Sequence, residues 1–344
     1  MIDWIVAERI ARLVAGSGDA PTPGADLNAL AGESERRVVA YTGLVPAAAL
    51  PAPEGIGRGE WVAANLGSMR RLIDPVLARA GEQFGPLRPA AQIGVGFAIS
   101  AEVGLLVGYM AQRVLGQYEL MLLDDPTPAS PPRLLFVLPN LGHAVRAFGA
   151  DEQEFMTWVA LHEVTHAVQF SAVPWLREHL AGLVSELLRS AEARLEARRA
   201  LRLPGRDELA RTARSLARGD LVSALASPIQ RQMLDSVQAV MAVIEGHAEH
   251  VMDAVAPDLL PSLPRMRASL EERRRSHNLL ERMFGRLFGI ELKLRQYEQG
   301  RLFCDALVAA GGTEALARLF SARELLPTLA EIERPQLWLA RTAG

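Results

Sequence analysis

The chain has 344 residues, of which 49% are hydrophobic and 22% charged. At roughly 150 residues per domain this suffices for two domains, or one large one, with a sizeable core, and it excludes general disorder. The 37 basic and 40 acidic residues leave a formal charge of −3, which argues against a bulk electrostatic grip on nucleic acid. A single cysteine, Cys304, excludes an internal disulfide framework and any cysteine-rich zinc site. It sits in a helical pattern and reads as a small buried hydrophobe in a reducing cytosol. Lys293 is the only lysine, a bias toward arginine that makes this one position worth following.

Residues 1–16 carry Asp3, Glu8, Arg9 and Arg12. They read as an amphipathic helix starting near Asp3, not as a signal peptide. Helical periodicity follows at 61–80. The stretch 89–111 is apolar, with Gly104 and Gly108 in a G-x-x-x-G arrangement. Gln92 and Glu102 interrupt it and no second span accompanies it, so it is expected to be a buried central helix packed through its glycines, not a membrane span. Leu134-Leu135-Phe136-Val137-Leu138, between Pro132 and Pro139, reads as a strand. The flanking prolines point to an edge strand or hairpin over 134–140, able to pair with an extended peptide.

Further helical patterns cover 152–170, 175–201, 230–255, 265–288 and 291–310. Arginines between Arg194 and Arg218 alternate with Glu192, Glu196, Asp207 and Glu208, as on a solvated helical face. The expected architecture is mainly α with one small β element. Residues 1–130 would form an N-terminal helical region and 131–344 a metal-binding region, or the two a continuous domain.

The chemistry centres on His162-Glu163-Val164-Thr165-His166, an H-E-x-x-H motif inside a helical pattern. At about 100° per residue, the four-residue spacing returns both imidazoles to one face, within reach of one cation. Glu163 is rotated by about 100° from His162, so it flanks a metal without ligating it and can take a proton from metal-bound water. The flanks on both sides are largely apolar, so the histidines are expected to be substantially buried. A metal would satisfy both.

A catalytic zinc needs a third protein ligand and an open position. The best source is Glu245-Gly246-His247-Ala248-Glu249-His250, on another helical pattern. Glu245 can bind the ion while Glu249, one turn on, orients a ligand histidine from behind. Gly246 would let the two helices approach closely. His247, Glu249 and His250 are rivals to Glu245 as ligand, and not all can face one ion. Hydrolysis also needs a donor for the developing oxyanion. Candidates are Tyr297, His247, His250, His277 and Lys293. Tyr297, one turn from Lys293, is placed in the catalytic set.

Four stretches resemble a family of zincin-like metallopeptidases found largely in actinobacteria: Pro139-Asn140-Leu141, residues 155–170, residues 244–253, and Lys293-Leu294-Arg295-Gln296-Tyr297-Glu298-Gln299-Gly300. The likeness extends to 61–77 and 103–118. Its histidine helix and distant E-G-x-x-[DE] helix are similar to the gluzincin arrangement. Some members of the family are associated with biosynthesis of the deazaflavin coenzyme. The resemblance implies a zincin-like helical core, zinc ligands at His162, His166 and Glu245, and Glu163 as the base. The expected function is a cytoplasmic zinc-dependent hydrolase, a metallopeptidase acting on a peptide or protein, with no nucleic-acid or membrane partner. The alternative is a non-catalytic zinc-binding scaffold or partner-binding protein of the same fold. A di-iron bundle would need a second E-x-x-H, which the sequence lacks. Gly94-Val95-Gly96 lacks the third glycine of a dinucleotide loop.

Overall fold

A computed structural model describes residues 2–18, 24–83, 89–119, 131–200, 228–261 and 290–343, with side chains outside 76–83, 89–93, 95, 191–200, 228, 258 and 290–297. The helix expected at 265–288, most of the arginine-rich run and His277 lie outside the described residues. Among those described there are eleven α-helices and one three-stranded sheet, so the chain is mainly α with a small β element. Two compact units divide them. One comprises Met1–Arg37, Ala48–Val168 and Asp258–Ser262; the other comprises Val38–Ala47, Gln169–Pro257 and Leu263–Gly344.

In the first unit, α1 (Trp4–Ala15) begins at Asp3, whose carboxylate accepts from the backbone N–H groups of Ile5 and Val6. Such a cap is worth about 1 kcal/mol. Ala7, Ala11 and Ala15 recur at helical spacing and form its buried face. That face meets α4 (Pro89–Ala111) so closely that a Cβ at Gly104 would stand 2.6 Å from the Ala7 carbonyl oxygen. One at Gly108 would stand 2.6 Å from that of Ala11. The expected role of the two glycines is thus met within the protein. The expectation of a buried central helix is corrected, since Phe97, Ile99, Leu105 and Met110 are exposed on α4. No helix among the described residues is long and apolar enough to cross a membrane.

The sheet comprises β1 (Pro53–Ile56), β2 (Gly116–Glu119) and β3 (Arg133–Val137), in the order β1-β3-β2. β3 runs parallel to β1 and antiparallel to β2. The edge strand expected at 134–140 is therefore the central strand, and the edges belong to β1 and β2. The prolines misled because both lie just outside the ladder. Pro132 precedes β3, and Pro139 sits in the first turn of α5 (Leu138–Phe148), where a missing N–H costs nothing. One face of the sheet packs Ile56, Leu135 and Val137 against Trp61, Val62 and Leu66 of α3 (Arg58–Gln83) and Val107 and Ala111 of α4. Each large side chain there contributes up to about 1.5–3 kcal/mol by burial. Arg133 on the central strand forms two hydrogen bonds to Glu54 on β1, at 2.9 and 2.5 Å, which hold the Glu54 carboxyl below its ordinary range.

α6 (Glu152–Ala172) starts at Asp151, whose carboxylate accepts from Glu154 N at 2.9 Å. Its residues are buried nearly all round, from Phe155, Val159, Ala160 and Leu161 to Val164, Ala167 and Val168, the mark of a central helix. The helix is continuous, and its last residues, from Gln169, belong to the second unit.

The second unit contains α7 (Pro174–Ala200), α8 (Pro228–Val255), α9 (Ile290–Arg318), α10 (Leu329–Glu333) and α11 (Pro335–Thr342). α8 and α9 meet backbone to backbone. A Cβ on Gly246 would collide with the carbonyl carbon of Gly300, and one on Gly300 with the carbonyl oxygen of Ala242. Gly246 thus admits the helix of Gly300; the expectation had paired it with the histidine helix. Cys304 is fully buried on α9, and burial pushes its thiol well above the usual range, as expected of a packed hydrophobe.

Candidate metal centre

The H-E-x-x-H residues lie in the middle of α6. His162 is half-buried and His166 is 9% exposed, in line with the apolar flanks. Their Nε2 atoms stand 3.2 Å apart, with the rings nearly perpendicular at 86°. This separation tests the fit of a zinc ion. Two nitrogens each about 2.05 Å from a tetrahedral zinc stand roughly 3.3 Å apart. The pair therefore already has the spacing of two ligands on one ion, and neutral imidazole nitrogen is a donor that zinc prefers.

Glu163 points to the side of this pair, against β2. Its Oε2 accepts a hydrogen bond from the backbone N–H of Tyr118 at 3.0 Å. Gly116 makes room for the side chain, since a Cβ there would stand 2.6 Å from Glu163 Cγ. Glu163 as a whole is 8% exposed. A carboxylate that accepts from a fixed backbone donor keeps one orientation, as a proton acceptor in a reaction must. Neither Gly116 nor Tyr118 was singled out in the sequence. A glycine next to a short polar strand gives no local signal of what fills the space above it.

In the second unit, Glu245 and Glu249 are half-buried on α8, one turn apart. The two histidine rivals to Glu245 are occupied by protein groups. His250 lies between Tyr41 and Asp305: its Nε2 is 2.8 Å from the tyrosine hydroxyl and its Nδ1 2.6 Å from the carboxylate. Arg301 holds the other oxygen of Asp305 at 2.8 Å. Burial and the nearby Asp305 charge push the Tyr41 hydroxyl above its ordinary pKa, so it stays protonated at neutral pH. His247 is 1% exposed; its Nδ1 is 2.9 Å from Gln169 Nε2 and its ring stands edge-on to Phe320. Neither histidine can turn to a metal without breaking these contacts. Tyr297 and Lys293 fall within α9, but their side chains lie outside the described residues.

The model of a family described as zincin-like metallopeptidases matches residues 2–339. The chain belongs to that family. Membership implies a metal, usually zinc, and the spacing of the His162–His166 pair suits one. Among solved structures, the chain is similar to a candidate hydrolase with a novel fold from Chloroflexus aurantiacus. The two are 29% identical with a TM-score of 0.70, over 100% of this chain and 99% of that one. No curated protein matches this chain. Family and structural relative together support a hydrolase.

Proposed function

We propose that the chain is a zinc-dependent peptidase. The observation that carries the proposal is the 3.2 Å approach of the two Nε2 atoms beside a carboxylate fixed by Tyr118 N–H. His162, His166 and Glu245 are the proposed ligands of one ion, and the engagement of His247 and His250 by protein groups favours Glu245 as the third. Bound there, zinc would lower the pKa of a coordinated water to about 7 and polarise the scissile carbonyl.

The chain's own residues supply the rest. Glu163 takes the proton from the attacking water and returns it to the leaving amine, while its bond to Tyr118 N–H keeps the carboxylate turned to the reaction. Glu249 accepts the distal N–H of a ligand histidine and fixes that ring. Tyr297 is the proposed donor to the developing oxyanion.

Zinc-loaded protein incubated with a mixed peptide library, read by mass spectrometry, tests the proposal. The parent is expected to cleave, and Glu163→Gln to keep zinc while cleaving at least about a hundredfold more slowly. If the loaded parent cleaves nothing across the library, the chain is a zinc-binding scaffold instead.

A further inference from the structure

Gln169 sits three residues after His166 and seven after His162 on α6, which puts it near the His162 side of the helix. It is fully buried. A buried glutamine gives up its hydration and up to about 2 kcal/mol of side-chain freedom, so its polar contacts must be specific. Its Nε2 donates to the carbonyl oxygen of Ile244 at 3.0 Å and lies 2.9 Å from His247 Nδ1.

The carbonyl decides the chemistry of both contacts. An acceptor faces the amide at Ile244, so the atom there must be the nitrogen and not the oxygen. With both amide hydrogens on that nitrogen, His247 Nδ1 must accept. Ile244 and His247 bracket Glu245 in sequence on α8. One amide thus grips α8 on both sides of the proposed third ligand, from the helix that carries the other two.

We infer that Gln169 is a positioning residue for the metal site: it fixes Glu245 by holding Ile244 and His247, and touches no metal itself. The inference rests on the assignment of Glu245 as a ligand. Zinc affinity measured by competition with a chromophoric chelator tests both, in the parent, Gln169→Met, Glu245→Ala and the double variant. Methionine matches the length of glutamine and cannot donate. Gln169→Met is expected to weaken zinc binding about tenfold to a hundredfold. The double variant should bind within about threefold of Glu245→Ala alone, because Gln169 acts through Glu245. A tie that only stabilises the fold would leave affinity unchanged, or would lower it by the same factor in both backgrounds; either result overturns the inference. Parent affinity in Glu245→Ala would instead overturn the ligand assignment. If Gln169→Met does not fold, His247→Phe serves the same cycle. It removes one acceptor, keeps a ring against Phe320, and should cost about threefold to tenfold.

Discussion

His162 and His166 on α6 turn Nε2 toward Nε2 across 3.2 Å, whereas His247 and His250 on α8 turn nitrogens toward a glutamine, a tyrosine and an aspartate. All four rings are at least half-buried. Burial alone therefore does not mark a ligand. What separates the pairs is what each nitrogen meets. His250 is held at both nitrogens by fixed protein groups, and its hydrogen bonds secure the second unit. The α6 pair converges on itself at the spacing of two zinc ligands, and the same helix turns its only intervening carboxylate, Glu163, toward a strand.

The contrast can be broken most sharply by removing the converging pair. His162→Ala with His166→Ala should abolish stoichiometric zinc, seen by elemental analysis of the folded protein. Losing two of three protein ligands should lower affinity by about a thousandfold or more. Glu249→Gln should do much less, about tenfold to a hundredfold in zinc affinity, if it acts as proposed through a ligand histidine. Gly116→Ala tests the other side of the motif. Its Cβ would press on Glu163, so turnover should fall about tenfold while zinc content stays at the parent level. The smallest effect on the metal should come from His250→Phe: unchanged zinc affinity, but a loss of about 1–3 kcal/mol in denaturant unfolding as Tyr41 and Asp305 lose their shared partner. A fall in zinc affinity there would erase the distinction between the two pairs.

Seven of the eleven described helices were legible because each keeps its apolar period over several turns; the helix at Leu27–Thr42 and the short α5, α10 and α11 were not. Asp3 announced the first one, and 152–170 matched α6 within two residues at either end. β3 was legible as an apolar run, but its place in the sheet was not. β1 and β2 have four residues each, with glycine and polar side chains and little alternation, so nothing in them declares the two partners that make β3 central. In the site, the H-E-x-x-H residues announced themselves through spacing along one helix. The groups around them did not. Tyr41 and Asp305 are 209 and 55 positions from His250, and no local pattern links such distances. Gln169 did leave a signal. It is a polar residue in an otherwise apolar flank, on nearly the same side of the helix as His162, and a count of face positions beyond the motif would have found it.

The contact between Gly246 and Gly300 also bears on how the protein opens and closes. Where two helices touch through backbone alone, no side chain can rotate to let them part a little, so separation there must be all or none. The amides of α8 around Ala242 and Gly246, and of α9 around Gly300, should therefore exchange with deuterium only through large-scale opening of the second unit. Glu245 precedes Gly246 on α8, so its carboxylate is carried by backbone that lies against α9 at this contact.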